Sequence, residues 1–214
     1  MLIYDVMKGI YRNYRNFMRD CFITNNYRKR LKNRDFSIIS SDCTGGVWYH
    51  ELHQKFMSPT INMFMEADDF IRFCKDIKYW IDVPMEKVEQ EEFPYPVAML
   101  GEGGIKLHLV HYKSVEEAQN KWDERKKRIN WDNMYFVTND RNYCSEEFIK
   151  EFNELPFKHK VILSHIPKPN NSSVYYIRGF ENEECIGVTT SFRTPISLRK
   201  NFDEFDYVRW LNEI

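Results

Sequence analysis

Residues 36–46, Phe-Ser-Ile-Ile-Ser-Ser-Asp-Cys-Thr-Gly-Gly, constrain the fold of this chain more than any other stretch. The first five of them predict a short buried strand, and the polar and glycine residues that follow predict a tight turn. A helical pattern begins directly afterwards, at residues 47–53. A strand that runs through such a turn into a helix begins many open α/β sheets, in which ligands bind beyond the carboxyl ends of the strands.

The same order of strand, polar turn and helix recurs further along the chain. Residues 134–138 and 161–165 predict buried strands, and polar residues follow each of them. Ser114 and Ser145 each precede a helical pattern and are placed to cap it. We therefore predict an α/β fold of three layers, in which a mixed, mostly parallel sheet is flanked by helices in a Rossmann-like arrangement.

Antiparallel strands are predicted at the margins of this sheet. Residues 95–111 contain two apolar runs around the turn Gly-Glu-Gly-Gly, which predicts a β-hairpin, and residues 174–190 predict a second hairpin. Residues 58–65 predict a further strand, and residues 66–82 predict one amphipathic helix. We expect the chain to end in a helix over residues 202–211.

The composition supports a folded protein and excludes several classes. Of the 214 residues, 43% are hydrophobic, which is enough for a real core, and the formal net charge is −1. A nearly neutral chain has no long-range attraction to nucleic acid, so we expect no nucleic-acid partner. The five cysteines are widely spaced and contain no CxxC pair, so neither a disulfide framework nor a metal site is predicted.

The sequence also lacks the signals of a membrane span and of a common cofactor site. No run of about 18 apolar residues is present, so we expect a cytoplasmic protein with reduced thiols, at most peripheral to the inner face of the membrane. The turn at residues 41–46 contains neither a GxGxxG fingerprint nor a P-loop. No cofactor is therefore predicted.

The opening segment, residues 1–34, is basic although the whole chain is nearly neutral. Its apolar residues recur at helical spacing and form one stripe, while Lys8, Arg12, Arg15 and Arg19 occupy the opposite face. Two interpretations are open: either the stripe packs on the sheet with the arginines in solvent, or the helix lies on a membrane surface or an acidic partner. We treat this segment as a basic amphipathic helix packed on a single α/β domain, residues 35–214.

Candidate catalytic groups follow the ends of three predicted strands. If those strands are parallel, Cys43, Asp140 and His165 meet at one edge of the sheet. Cys43 stands just before a helix, whose dipole lowers the pKa of a thiol, so it is a candidate nucleophile with His165 as base and Asp140 as orienting carboxylate. The alternative is that Cys43 is a small buried hydrophobic residue that fills the turn.

Candidate ligand-binding residues surround the same turn and the neighbouring strand ends. They are Ser41, Asp42, Thr44, Gly45, Gly46 and Thr138, and a second polar group, which also contains Arg125, Arg128 and Asp132, adds Arg141 and Asn133. The two glycines allow either backbone N–H groups to approach a phosphate or a helix to pack closely on a strand, and both explanations stay open. The guanidinium of arginine suits the recognition of phosphate or carboxylate, so Arg141 is a candidate for binding such a group of the ligand.

Several phrases of the sequence occur together in a known group of bacterial proteins. They are Ser-Ser-Asp-Cys-Thr-Gly-Gly at 40–46, Ser-Pro-Thr-Ile-Asn at 58–62 and His-Tyr-Lys-Ser-Val-Glu-Glu-Ala at 111–118. With these phrases, residues 36–210 resemble an uncharacterised family labelled exopolysaccharide biosynthesis protein. The resemblance implies a setting among glycosyltransferases of capsule or cell-surface polysaccharide assembly, and it implies no reaction.

Two functions are compatible with these observations. The first is a transferase-like enzyme of polysaccharide assembly that binds a sugar, a sugar nucleotide or an acyl donor beside the 41–46 turn. The second is a non-catalytic accessory protein that docks on a glycosyltransferase or on the inner membrane through its basic opening helix. The polar strand ends favour the first, and residues 8–34 favour the second.

Overall fold

The computed structural model describes residues 2–90, 92–141 and 144–213. The α-helices are α1 (Leu2–Arg19), α2 (Asn25–Arg30), α3 (Thr44–Glu51), α4 (Ala67–Lys75), α5 (Ile77–Trp80), α6 (Val115–Lys126), α7 (Glu146–Glu154) and α8 (Tyr207–Leu211). A π-helical turn, Asp20–Thr24, joins α1 to α2, and a 3-10 helix, Asn201–Glu204, precedes α8. The strands are β1 (Ser37–Ser40), β2 (Met85–Val88), β3 (Val97–Leu100), β4 (Ile105–His108), β5 (Met134–Asn139), β6 (His159–Ser164) and β7 (Val174–Tyr176).

Four strands form a parallel sheet in the order β1-β5-β6-β7. Every residue of β1 and β5 is buried, because both faces of the sheet are covered, as is usual for parallel sheets. The side chains of Ile38, Tyr135 and Val161 pack against α3 and α8, while Ile39 and Phe136 pack against α4, α6 and α7. This arrangement confirms the predicted α/β class, with helices on both faces.

The antiparallel strands form a sheet of their own, which corrects the expectation that they lie at the margins of the parallel sheet. The predicted 95–111 hairpin is present as β3 and β4, and β2 pairs with β3 as a third strand. β2 lies between the predicted 66–82 helix and the predicted hairpin, where no strand is predicted from the sequence. The side chains of this small sheet that face inward, such as Leu100 and Leu107, join the core on the α4 side.

The predicted 174–190 hairpin is wrong. β7 pairs with β6 in parallel, and the backbone of residues 186–190 bonds to other parts of the molecule. The N–H of Ile186 donates to the Asp140 carboxylate, and the carbonyl of Thr189 accepts from Phe202. These bonds leave the second half of the expected hairpin without a partner strand.

Three other predicted elements differ in detail. The 58–65 segment is extended but forms only one bridge, Phe64 to His108, since Asn62 adopts a left-handed φ of 64° that interrupts a strand. The 66–82 helix is divided at Asp76, whose φ of −135° is not helical. The expected final helix is likewise two pieces, the 3-10 helix and α8.

The opening helix contacts the rest of the protein through its arginine face. Arg19 is buried and donates to both Glu51 and Asp203, and Arg15 lies 3.5 Å from the centre of the Phe192 ring. Residues of the apolar stripe, among them Ile10 and Phe17, are exposed. The interpretation in which the stripe is buried and the arginines lie in solvent is therefore wrong for the stripe and for Arg19, which binds three acceptors on the body, although Arg12 is exposed.

None of the helices in the described ranges combines the length and apolar character that crossing a membrane requires.

Candidate functional site

The carboxyl edge of the parallel sheet borders two neighbouring cavities. The first has a volume of about 450 Å³ and is lined by Asp42, Cys43, Phe64, Tyr95, Val110, His111, Asn139, Arg141, Val188 and Thr190. The second has a volume of about 760 Å³ and is lined by Asp140, Arg141, Cys144, Ser145, Glu146, Ile149, Ser164, His165, Ile166, Lys168, Glu184 and Cys185. Arg141 borders both, so the two cavities adjoin at this residue.

Asp140 and His165 form a close pair in the second cavity. The carboxylate oxygen Oδ2 of Asp140 lies 2.6 Å from Nδ1 of His165 and accepts the backbone N–H of the same residue at 2.8 Å. Both side chains are about one-tenth exposed. A carboxylate only accepts hydrogen bonds, so Nδ1 carries the proton and Nε2 of a neutral ring keeps its lone pair.

The register of the parallel strands places this pair. Asn139, the last residue of β5, is opposite Leu163 of β6, and the N–H of Asp140 donates to the Leu163 carbonyl at 3.1 Å. The residues that follow the two strands are therefore neighbours, as the sequence predicted from parallel strand ends. The hydroxyl of Ser164, at the end of β6, donates to the Asp140 carboxylate at 2.7 Å.

A contact from a distant part of the chain completes the environment of Asp140. The N–H of Ile186 donates to the second carboxylate oxygen, Oδ1, at 2.8 Å. Four donors thus fix Asp140, and only the two on His165 belong to the predicted catalytic group. No motif in the sequence indicates that Ile186 lies here, because its position depends on the non-local path of residues 186–190.

Asp42 organises the 41–46 turn. Its oxygen Oδ1 accepts the Thr44 N–H at 2.9 Å, and its oxygen Oδ2 accepts the amide of Asn139 at 2.9 Å and the hydroxyl of Thr189 at 3.3 Å. These bonds join β1 to β5 and to the 186–190 segment. Asp42 lines the first cavity with a carboxylate whose acceptors are already engaged by the protein.

Three predicted ligand-binding hydroxyls are buried instead of facing a cavity. Ser41 bonds to Thr138 at 2.9 Å, and Thr44 bonds to Thr189 at 2.7 Å. All three predicted residues, Ser41, Thr44 and Thr138, are at most 5% exposed. They stabilise the strand ends through paired hydroxyls, which corrects the expectation that they contact a ligand.

The two glycines of the turn, Gly45 and Gly46, allow helix α3 to pack closely on its neighbours. A β-carbon at Gly45 would lie 2.9 Å from side-chain carbons of both Ile38 and Ser40, so only glycine lets α3 approach β1 this closely. The N–H of Gly45 donates to the Ser40 hydroxyl at 3.2 Å. A β-carbon at Gly46 would meet Ile61 at 3.4 Å. Of the two open explanations, close packing of helix on strand is the one that these distances support.

Cys43 lines the first cavity, whereas His165 lines the second, so the predicted nucleophile and base do not share a cavity. Burial, with a smaller contribution from the Asp42 charge, raises the pKa of the Cys43 thiol to about 12. The expected lowering of this pKa by the helix is wrong, because desolvation disfavours the thiolate more strongly than the short helix α3 favours it.

The remaining predicted residues fall into different places. Arg141 is exposed and borders both cavities. Asn133 precedes β5 and donates to the carbonyl of Asp35, so it lies at the opposite end of the sheet and is not part of the site. The sequence placed it near the site only through its proximity in the chain to other polar residues.

Other residues at the cavities carry no signal in the sequence. Phe64, Tyr95 and His111 come from the segments around the antiparallel sheet, and Thr190 comes from the region predicted to be a hairpin. In the second cavity, burial is the main cause that raises the pKa of Cys144 to about 12. Within the described ranges, no three His, Cys, Asp or Glu side chains converge as metal ligands would.

The sequence is similar to other proteins over nearly its whole length. Residues 13–212 match a family model described as "Domain of unknown function (DUF1919)". A protein of Haemophilus influenzae (strain ATCC 51907 / DSM 11121 / KW20 / Rd), named "Uncharacterized protein", is 37% identical over 191 residues, which cover 89% of this chain and 91% of the relative. Neither name mentions a reaction or a polysaccharide.

Proposed function

We propose that this chain, which belongs to the DUF1919 family, is a group-transfer enzyme in which His165 is the general base. The observation that carries the proposal is the Asp140–His165 pair, with Nδ1 held 2.6 Å from a carboxylate at the edge of a large cavity. A histidine whose tautomer is fixed in this way is the usual group that takes a proton from an attacking hydroxyl. Asp140 acts as its positioning residue.

The chemical step begins at a hydroxyl of the acceptor molecule in the second cavity. His165 Nε2 takes the hydroxyl proton while the oxygen forms a bond to the electrophilic carbon of the donor. The bond from that carbon to its leaving group breaks, and the electron pair goes to the leaving group. The proton on His165 then passes to solvent, which restores the neutral ring.

The donor belongs beside the 41–46 turn, in the first cavity. Arg141 stands between this cavity and His165, where a guanidinium can hold a phosphate or carboxylate of the donor. Phe64 and Tyr95 add aromatic surface to the same cavity. These features support a sugar, a sugar nucleotide or an acyl donor, in keeping with the resemblance to proteins of exopolysaccharide assembly.

The test is a screen of purified protein for ligands and then for turnover. Sugar nucleotides, free sugars and acyl-coenzyme A are added in a thermal-shift assay, where saturation to about 100 times Kd raises Tm by roughly 5–10 °C. Compounds that bind are then incubated with sugar acceptors, and products are identified by mass spectrometry. We expect His165→Gln to lower turnover by about 10²–10⁴-fold while binding persists.

The matched control is His50→Gln, since His50 is exposed on α3 away from both cavities. It should leave turnover unchanged. Equal turnover by the wild type and His165→Gln would contradict the proposed general base. The absence of both binding and turnover with every compound would instead favour a non-catalytic accessory protein, whose docking partner is a glycosyltransferase.

A further inference from the structure

Helix α1 presents an apolar surface that nothing in the described protein covers. We call this surface the apolar stripe and define it as Val6, Met7, Ile10, Tyr14 and Phe17. Each of these five side chains is at least 55% exposed. Large apolar side chains that recur along one exposed helix face mark an interaction site more often than isolated ones do.

The opposite face of α1 borders a groove between the helix and the body of the protein. We call it the basic groove; its volume is about 630 Å³, and its cationic side chains are Lys8, Arg12, Arg15 and Lys200. No carboxylate is among the described residues that line it. Lys200 also reaches Glu51, at 2.8 Å, so the other three cations give the groove most of its positive charge.

The body holds α1 so that these two surfaces face different directions. Arg19, at the end of the helix, is bound by Glu51 and Asp203, and Tyr11 donates to the carbonyl of Pro195 at 2.7 Å. Arg15 donates to the same carbonyl. The helix is therefore fixed with its stripe outward and its cations beside the body.

We infer that α1 docks on an anionic lipid surface. The apolar stripe enters the boundary between headgroups and acyl chains, and the basic groove takes the phosphate groups of neighbouring lipids. Helices that lie in a membrane interface combine an apolar face with lysine and arginine in this way. The inference is independent of the proposed group-transfer reaction, since it uses none of the residues at the two cavities except Thr190, which borders both the groove and the first cavity.

Charge complementarity favours a lipid surface over a second copy of the chain. Residues 6–19 contain no aspartate or glutamate, so this part of α1 in another copy brings no negative charge to the basic groove. Anionic headgroups supply that charge at the depth where the helix would lie. A second copy that packed its own apolar stripe on this one would leave the basic groove without a negative partner.

The experiment is co-sedimentation of the full chain with vesicles. One set contains phosphatidylglycerol and phosphatidylethanolamine at 3:7, and the other contains only phosphatidylcholine. We expect binding to the first set at low salt, and much weaker binding to the second or in 0.5 M NaCl. Light scattering of the lipid-free protein reports whether it is a monomer.

Two pairs of substitutions separate the contribution of the basic groove to lipid binding from that of the apolar stripe. Lys8→Glu with Arg12→Glu should weaken binding at least tenfold, since one cation near an anionic surface contributes roughly fivefold. Ile10→Ser with Phe17→Ser should also abolish most binding. The matched controls are Lys127→Glu and Tyr79→Ser, which change an exposed cation and an exposed aromatic ring elsewhere and should leave binding unchanged.

Three results would overturn the inference. The first is no binding to the anionic vesicles at low salt. The second is binding that the two charge reversals do not change, which would remove the role of the groove. The third is a dimer in solution that Ile10→Ser with Phe17→Ser converts to a monomer, which would assign the stripe to a second copy.

Discussion

One carboxylate oxygen of Asp140 lies 2.6 Å from Nδ1 of His165 and 2.8 Å from the backbone nitrogen of the same residue. The ring and the backbone of His165 are thus held by one atom. Because Ser164 and Ile186 also donate to this carboxylate, its loss would release four hydrogen-bond donors at once. The geometry of the candidate base therefore depends on Asp140.

Asp140→Ala is expected to lower the free energy of unfolding by about 2 kcal/mol, since partly buried donors lose their acceptor. Asp140→Asn should lower the free energy of unfolding by less. It should also change which ring nitrogen of His165 carries the proton, because an amide can donate as well as accept. Urea denaturation measures the first effect, and nitrogen NMR of the ring measures the second. The exposed control Asp132→Asn should change stability by less than about 0.5 kcal/mol. An unchanged His165 spectrum in Asp140→Asn would contradict the assigned contact.

Arg19→Met is expected to destabilise the protein by about 3–5 kcal/mol, because it leaves the buried carboxylate of Asp203 without its cation and leaves Glu51 with Lys200 alone. The measurement is chemical denaturation followed by circular dichroism. The control is Arg12→Met, an exposed position on the same helix, with an expected change below about 0.5 kcal/mol. Similar stability of the two variants would show that the ion pairs of Arg19 with Glu51 and Asp203 contribute little to the free energy of unfolding.

His108 should make stability fall as the pH is lowered. It is 1% exposed, and burial lowers its pKa, although Glu66 at 3.7 Å acts in the opposite direction. Below about pH 6.5 the unfolded chain binds a proton here that the folded protein does not, so the free energy of unfolding decreases by at most about 1.4 kcal/mol per pH unit. His108→Phe removes this contribution. Denaturation between pH 7.5 and 5 should therefore show a flatter pH profile for the variant, whereas parallel profiles would contradict the prediction.

Cys43 should be chemically inert near neutral pH. Its raised pKa, about 12, leaves roughly a thousandfold less thiolate than an ordinary cysteine has. Iodoacetamide at pH 7.5 is therefore expected to alkylate the exposed Cys21 long before Cys43, as measured by peptide mass spectrometry. Cys43→Ser should retain any turnover that the screen detects. Comparable alkylation rates for the two cysteines would restore Cys43 as a candidate nucleophile.

Gly45→Ala is expected to lower the free energy of unfolding by about 1–3 kcal/mol, because the new methyl group would overlap Ile38 and Ser40. Gly9→Ala is the matched change in another helix, where no atom lies within 4 Å of the new carbon. It should be neutral or stabilising by up to about 1 kcal/mol, since alanine favours helix. Thermal and urea denaturation compare the two. A stable Gly45→Ala variant would reopen the alternative that this glycine admits a ligand.

Local patterns in the sequence predicted the helices and strands around the candidate site with good accuracy. The strand over 37–40, the caps at Ser114 and Ser145, and the parallel strands that end beside Asp140 and His165 all depend on neighbours within a few residues. Such features follow from apolar periodicity and from short-range hydrogen bonds. The α/β class follows from their order along the chain.

Contacts between distant residues decided the rest. The sequence could not show that Ile186 donates to Asp140, that Cys43 and His165 border different cavities, or that residues 186–190 leave the sheet. Each depends on pairs of groups that are far apart in the chain.

The opening helix shows most clearly which features follow from the sequence and which depend on the tertiary structure. Its sequence alone determined that it is an amphipathic helix with a basic face, because side-chain spacing along a helix is fixed by 3.6 residues per turn. Which face turns inward was decided by the tertiary structure, where Glu51, Asp203 and the carbonyl of Leu198 bind Arg19. Hydrophobic periodicity predicts that the apolar stripe is buried. The hydrogen bonds and ion pairs of the buried Arg19 guanidinium instead fix the opposite face against the body, and only the folded body supplies the acceptors for them.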